Sequence, residues 1–217
     1  MWLKRRRFSV MRLRNKKINK AKNNRSENYT AALNFFAEAG LLKKIKRSGW
    51  WVAGISNPES VAEHSFRCAI IGYYLAHLEG ADPYKVVTMT LFNDIHEARI
   101  NDLHKMGHTY IDFKDAEKKV FQDQIKFLAK KVKSELADLR FDFDRQLSKE
   151  SIVARDADIL ECLLQAKEYY DSGYLGAKNF FMKAPDFLKT KSSRKLWQGI
   201  KKWHSSLWWK GVVKFER

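Results

Sequence analysis

DPYKVVTMTLFNDIHEA, residues 82–98, places a capping acid and a proline ahead of a strongly apolar run, then sets a carboxylate inside it. Asp82 is a helix N-cap and Pro83 suits the first helical position, where its missing N–H costs nothing. Residues 84–98 therefore read as one buried helix. Val87, Leu91, Asp94 and Ala98 share a stripe at three-to-four spacing, and Glu97 follows Asp94 by one turn on the same face. A carboxylate on the dry side of a helix is expensive unless it is paired, hydrogen-bonded or bound to metal. This segment thus implies a helical core and a polar site within it.

The same period governs the chain on either side. Leu33, Phe36, Ala37, Leu41 and Leu42 mark a helix from Tyr29 onward. A loop with embedded aromatics, Arg47 to Pro58, leads into a helix over residues 59–78 with a stripe at Ala62, Phe66, Ala69, Ile70, Tyr73 and Ala76. Residues 113–137 read as one long charged amphipathic helix. Ser148, Glu150 and Ser151 form a capping signature ahead of a helix reaching Tyr170. Residues 192–203 suggest a short basic helix. No alternating β-branched run competes, and three Pro with ten Gly argue against a turn-rich all-β chain. The expected fold is all-α, with about six or seven helices and no internal repeat.

The chain's net charge of +17 is uneven. Residues 1–27 hold eleven Lys/Arg against Glu27, and residues 191–217 hold eight against Glu216. Residues 28–190 are balanced, with 23 bases and 23 acids. The expected organisation is a basic extension over 1–27, a helical domain over 28–190, and a basic Trp-rich segment over 191–217 packed on that domain. The extension reads as solvated, with nonspecific polyanion contact or organelle targeting as alternatives. The body does not have the charge of a nucleic-acid binder. Cys68 and Cys162 give neither a disulfide framework nor a zinc-binding CxxC. No apolar run is long enough to span a membrane, and a cytoplasmic protein is expected.

The polar residues at odds with this core pattern are His64, Asp94, and Asp156 or Asp158, between which periodicity does not choose. Helix bundles build metal sites from such groups on facing helices. At these positions the chain resembles the HD-domain phosphohydrolases related to bacterial 5′-deoxynucleotidases. The segments are Arg47-Ser-Gly-Trp50 with Asn57-Pro-Glu-Ser-Val-Ala-Glu-His64, then Phe92-Asn93-Asp94-Ile-His-Glu97 running on to Asp102, and Ala154-Arg-Asp-Ala-Asp158. The resemblance covers roughly residues 30–210.

What the resemblance implies is specific. The fold is a compact HD-type helical bundle, and the assembly a homodimer. One divalent ion (Mn, Co, Ni, Zn or Mg) is held by His64, Asn93, Asp94 and Asp158. Glu97 is the catalytic acid/base. Arg47 neutralises the substrate phosphate, Trp50 packs on the sugar, and Asp102 accepts from its 3′-hydroxyl. The substrate is a small nucleotide, best a deoxyribonucleoside 5′-monophosphate. The departure is Asn93, which stands where the family has its signature histidine. An amide oxygen is a weaker ligand than imidazole for first-row metals. Asn93 as a weak ligand, His96 as a substitute, and a metal-poor site are the three alternatives. The rival functions are a catalytically weakened nucleotide-binding or regulatory protein, and a nucleic-acid-associated protein acting through its tails.

Overall fold

The computed structural model describes residues 29–213. A helix over 29–41 (α1) is followed by α2 (Gly49–Val52), α3 (Val61–Glu79), α4 (Pro83–Phe92), α5 (Glu97–Ile100), α6 (Phe113–Ile125), α7 (Lys130–Arg145), α8 (Lys149–Asp171), α9 (Phe180–Lys183) and α10 (Lys191–Lys202). Among the described residues, β pairing is confined to one antiparallel bridge between Lys46 and Ser60. The basic extension over 1–27 lies outside the described residues.

The all-α fold follows the helical period, but two expected helices are each divided. The run over 84–98 stops at Phe92, and the chain turns through Asn93–His96 before α5. The run over 113–137 breaks after Ile125 and resumes at Lys130, with Ala129 (φ -51°, ψ 136°) at the cap position. That break lets Phe121 and Ile125 of α6 and Leu136 of α7 reach the same apolar cluster as Phe35, Leu42 and Val61. Local periodicity does not report it, because the gain is tertiary burial.

Capping boxes start both long inner helices. Ser60 accepts from the Glu63 amide while Glu63 reaches back to the Ser60 amide, and Ser148 exchanges with Ser151 in the same way. α3 packs its small face inward, so Cys68, Ala69, Gly72, Leu75 and Ala76 are buried while Phe66, Ile70 and Tyr73 are exposed. Of the expected stripe, Ala69 and Ala76 face inward, whereas Phe66, Ile70 and Tyr73 face out. The reason is close approach: a Cβ on Gly72 would lie 2.9 Å from Val86 Cγ1 and 3.5 Å from Ala157 Cβ. α1 is rotated similarly, burying Phe35 and exposing Leu33 and Phe36, while Leu42 is buried in the turn just after it.

α8 runs through the centre, with Val153, Ala154, Ala157, Leu160 and Leu163 in the main cluster beside Leu75, Val86 and Met89. Asp156, fully buried on this helix, accepts from the Lys189 and Thr190 amides (2.9 and 2.7 Å) and from Ser193 Oγ (2.7 Å). It thereby pins the start of α10, whose Trp197 is buried against Phe181, whereas Trp208 is 67% exposed. Asp156→Ala leaves the Lys189 and Thr190 amides without their acceptor, at roughly 1–3 kcal/mol for each buried orphan, while Ser193 Oγ keeps Thr190 O at 3.0 Å. A large fall in melting temperature with unchanged metal content is expected. An unaltered melting curve would remove this anchoring role.

Candidate active site

The site is assembled from four regions of chain. The bridge beside Ser60 fixes the Arg47 segment through Arg47 N–H to Glu59 O (3.0 Å) and Val61 N–H to Ile45 O (2.9 Å). His64 lies one turn into α3, Asn93 and Asp94 occupy the turn after α4, and Asp158 projects from α8. His64 Nε2 is 3.5 Å from Asp94 Oδ2 and 3.2 Å from Asp158 Oδ1, and Arg47 Nη1 is 3.8 Å from Asp94 Oδ2. Of the two aspartates of α8, Asp158 rather than Asp156 therefore faces His64 Nε2.

These charges are sheltered. Burial opposes ionisation of Asp158, but the His64 hydrogen bond and Arg155 outweigh it and hold its carboxyl below the usual range. Asp94 is lowered likewise, against burial, by His64 and Arg47. On His64, burial and Arg47 oppose a charge, yet Glu161, Asp158 and Asp94 hold its proton well above the ordinary imidazole range. A field that retains a proton so firmly also favours a divalent cation in its place. The donor set of one imidazole nitrogen and two carboxylates fits a first-row divalent ion, and Mg²⁺ less well because it prefers oxygen.

Asn93 donates its side-chain N–H to Asp94 Oδ1 (2.7 Å), so its amide supports that carboxylate. His96 is buried, but its ring meets Asn93 O (3.1 Å), Arg140 (3.3 Å) and Glu117 (3.6 Å) rather than the two aspartates. Glu97 opens α5, is 7% exposed, and has one carboxylate oxygen buried without a hydrogen-bond partner. Burial, with Asp94 and Asp102 nearby, pushes its carboxyl well above the usual range.

Asp102 accepts from the Ser48 amide, which ties the loop after α5 to the residue beside Arg47. It follows Asn101, whose φ of 62° and ψ of 168° are a conformation that favours glycine. Trp50, expected against a sugar, is only 1% exposed. Its indole donates to Glu59 Oε1 (3.0 Å) and its rings pack on Tyr169 and Phe180. Its amide donates to Arg47 O (3.2 Å), and its buried ring offers no open face.

Sequence reasoning missed Glu161, Glu59, Arg67 and Arg155. Glu161, fully buried, accepts from His64 Nδ1 on one oxygen and from Arg67 Nε (2.9 Å) on the other. Its spacing of three from Asp158 places both on one face of α8, which was the available signal. Arg155 holds Asp158 Oδ2 at 2.9 Å. Glu59, His64 and Glu161 also place one ligand atom each within 4.8 Å of one another. Glu161 is already occupied by His64 and Arg67, and Glu59 by the Trp50 indole, so this second grouping is internally satisfied. Burial beside Glu161 raises the Glu59 carboxyl to about 7.

The HD-domain family model matches residues 39–202. A Dictyostelium discoideum protein named 5′-deoxynucleotidase HDDC2 is 31% identical over 145 residues, covering 63% of this chain and 76% of that one. The solved structure of PH0347 from Pyrococcus horikoshii OT3 is 28% identical with a TM-score of 0.66, covering 78% of this chain and 96% of that one. A structure from Magnetospirillum magnetotacticum MS-1, titled a predicted metal-dependent phosphohydrolase, is 21% identical with a TM-score of 0.66 over 81% and 92% of the two chains, and so shares the fold.

Proposed function

The chain belongs to the HD-domain family, and on that premise we propose a metal-dependent phosphomonoesterase that removes the 5′-phosphate from small nucleotides, foremost deoxyribonucleoside 5′-monophosphates. The observation carrying this reading is the convergence of His64 Nε2 on Asp94 and Asp158, with Arg47 alongside. The kinship with a protein named 5′-deoxynucleotidase supports the substrate class.

His64, Asp94 and Asp158 would hold one divalent ion, with Asn93 as a weak fourth donor or as the hydrogen-bond support of Asp94. When bound, such an ion polarises a phosphoryl oxygen and lowers the pKa of water. Arg47 binds the phosphate, its planar guanidinium matching two phosphoryl oxygens while it balances the Asp94 charge. Glu97 takes a proton from the attacking water and returns one to the leaving 5′-oxygen, so water adds to phosphorus as the ester P–O bond breaks. Asp102 keeps one carboxylate oxygen on the Ser48 amide and presents the other to a sugar hydroxyl. Trp50 shapes the sugar end from below, through the backbone that carries Ser48.

A homodimer fits the exposed stripe of Phe66, Ile70, Tyr73 and Leu78 on α3. Polyanion contact through the basic ends also belongs to this reading, the N-terminal part lying outside the described residues. Among the described residues no helix is long and apolar enough to cross a membrane.

The test is phosphate release from a panel of 5′-ribo- and deoxyribonucleotides with added Mn²⁺ or Co²⁺, run on wild type and Asn93→His together. Deoxynucleotides should be turned over preferentially. Asn93→His should bind metal about 10-fold or more tightly, because imidazole is the better donor to these ions. Release from no nucleotide by either protein would overturn the activity. An Asn93→His protein with unchanged metal affinity would exclude position 93 from the ligand set.

A further inference from the structure

Glu161 is a buried carboxylate with no place in the chemistry above, yet both of its oxygens are committed. One accepts from His64 Nδ1, and the other accepts from Arg67 Nε at 2.9 Å. Arg67 is itself clamped, since its Nη1 donates to both oxygens of Glu168 (2.8 and 2.7 Å) and its Nη2 to Gln165. The carboxylate therefore cannot turn away from the imidazole. Glu161 is fully buried and His64 is 1% exposed, so no bulk water offers either ring nitrogen an alternative.

We propose that Glu161, locked by Arg67, is the positioning residue that keeps His64 protonated at Nδ1 and its Nε2 lone pair aimed between Asp94 and Asp158. This rests on the reading of His64 as a metal ligand. An ionised carboxylate only accepts, so the nitrogen facing it must carry the proton. The opposite nitrogen is then left as the donor to a cation, and the adjacent negative charge makes it a stronger one. The requirement is unusually strict in this chain. With Asn93 in place of a second imidazole, His64 is the one nitrogen donor among the proposed ligands, so Nε2, whose proton the two aspartates hold in the metal-free protein, must be the nitrogen that gives up its proton when a cation enters.

Glu161→Gln isolates this role because it is nearly isosteric. Arg67 Nε still needs an acceptor and takes the amide oxygen, which turns the amide nitrogen toward His64. Nδ1 must then accept, and the proton moves to Nε2, where it competes with the cation. The expected result is a 10- to 100-fold weaker Zn²⁺ affinity in a chelator-competition titration. Glu161→Asp stays acceptor-only and should lose less. The second readout is the imidazole ¹⁵N spectrum of the Zn²⁺-loaded wild-type protein, which should show His64 protonated at Nδ1 only. A proton on Nε2 there overturns the proposal, whether or not the variants fold. So does folded Glu161→Gln protein with wild-type Zn²⁺ affinity. His64→Ala run in parallel separates the premises: if it keeps stoichiometric Zn²⁺, the ligand assignment has failed, not the positioning alone.

Discussion

His64→Ala and Asp158→Ala proteins should each purify without stoichiometric divalent metal and release no measurable phosphate from any nucleotide. Each change removes a donor from a set that already lacks one imidazole. The remaining groups after His64→Ala are Asp94 and Asp158, held near Arg47 and Arg155 respectively. Two carboxylates that can satisfy themselves with guanidinium groups have little reason to retain an ion. After Asp158→Ala, His64 Nε2 keeps only Asp94 at 3.5 Å. Metal analysis of dialysed protein is the measurement, with melting temperature as the fold control. Stoichiometric metal in either variant refutes the ligand set. Asp156→Ala is the matched comparison, since it lies two residues from Asp158 yet serves Lys189, Thr190 and Ser193. It should lose stability and keep metal.

The contrast between Asp156 and Asp158 shows where sequence reasoning reaches its limit. Both interrupt an apolar stretch, and positions two apart on a helix differ by about 200°, so the two point to nearly opposite faces. Only the location of α10 decides which one meets backbone amides and which meets His64. The helical class was legible because it depends on local periodicity and capping. The interruption at Asn93 was not, because a strongly apolar run looks continuous whether or not the chain turns. That turn matters to the site: it separates α4 from α5, buries Glu97, and lets His96 face Glu117 and Arg140. Trp50 illustrates a different loss. A motif can give its position but not which wall of the pocket it forms, and Tyr169 and Phe180 draw it inward. Glu161 escaped notice because a glutamate in a helix is ordinary until its partner at a separation of 97 residues is known.

Glu97→Gln should lower kcat by about 10²- to 10⁴-fold while leaving metal content and KM nearly unchanged. The residue opens α5 with its carboxylate buried and one oxygen unpartnered. Such a group is costly to keep unless substrate or its attacking water uses it. Burial and the neighbouring Asp94 and Asp102 charges push its carboxyl well above the usual range. A base must be ionised to accept a proton, so kcat/KM for wild type should rise with pH through a limb above ordinary carboxylate values. The variant should lack that limb. Stability runs the other way. The folded protein holds a proton that the unfolded chain releases at lower pH, so this contribution is fully present below the unfolded value and is lost as pH rises through the folded one. The substituted amide is neutral at every pH and escapes that loss, so the variant should melt above wild type at alkaline pH even as its turnover falls. A Glu97→Gln enzyme with wild-type kcat would take Glu97 out of the chemistry. A lower kcat with the rising limb intact would leave it a contact residue and assign the proton transfer to another group.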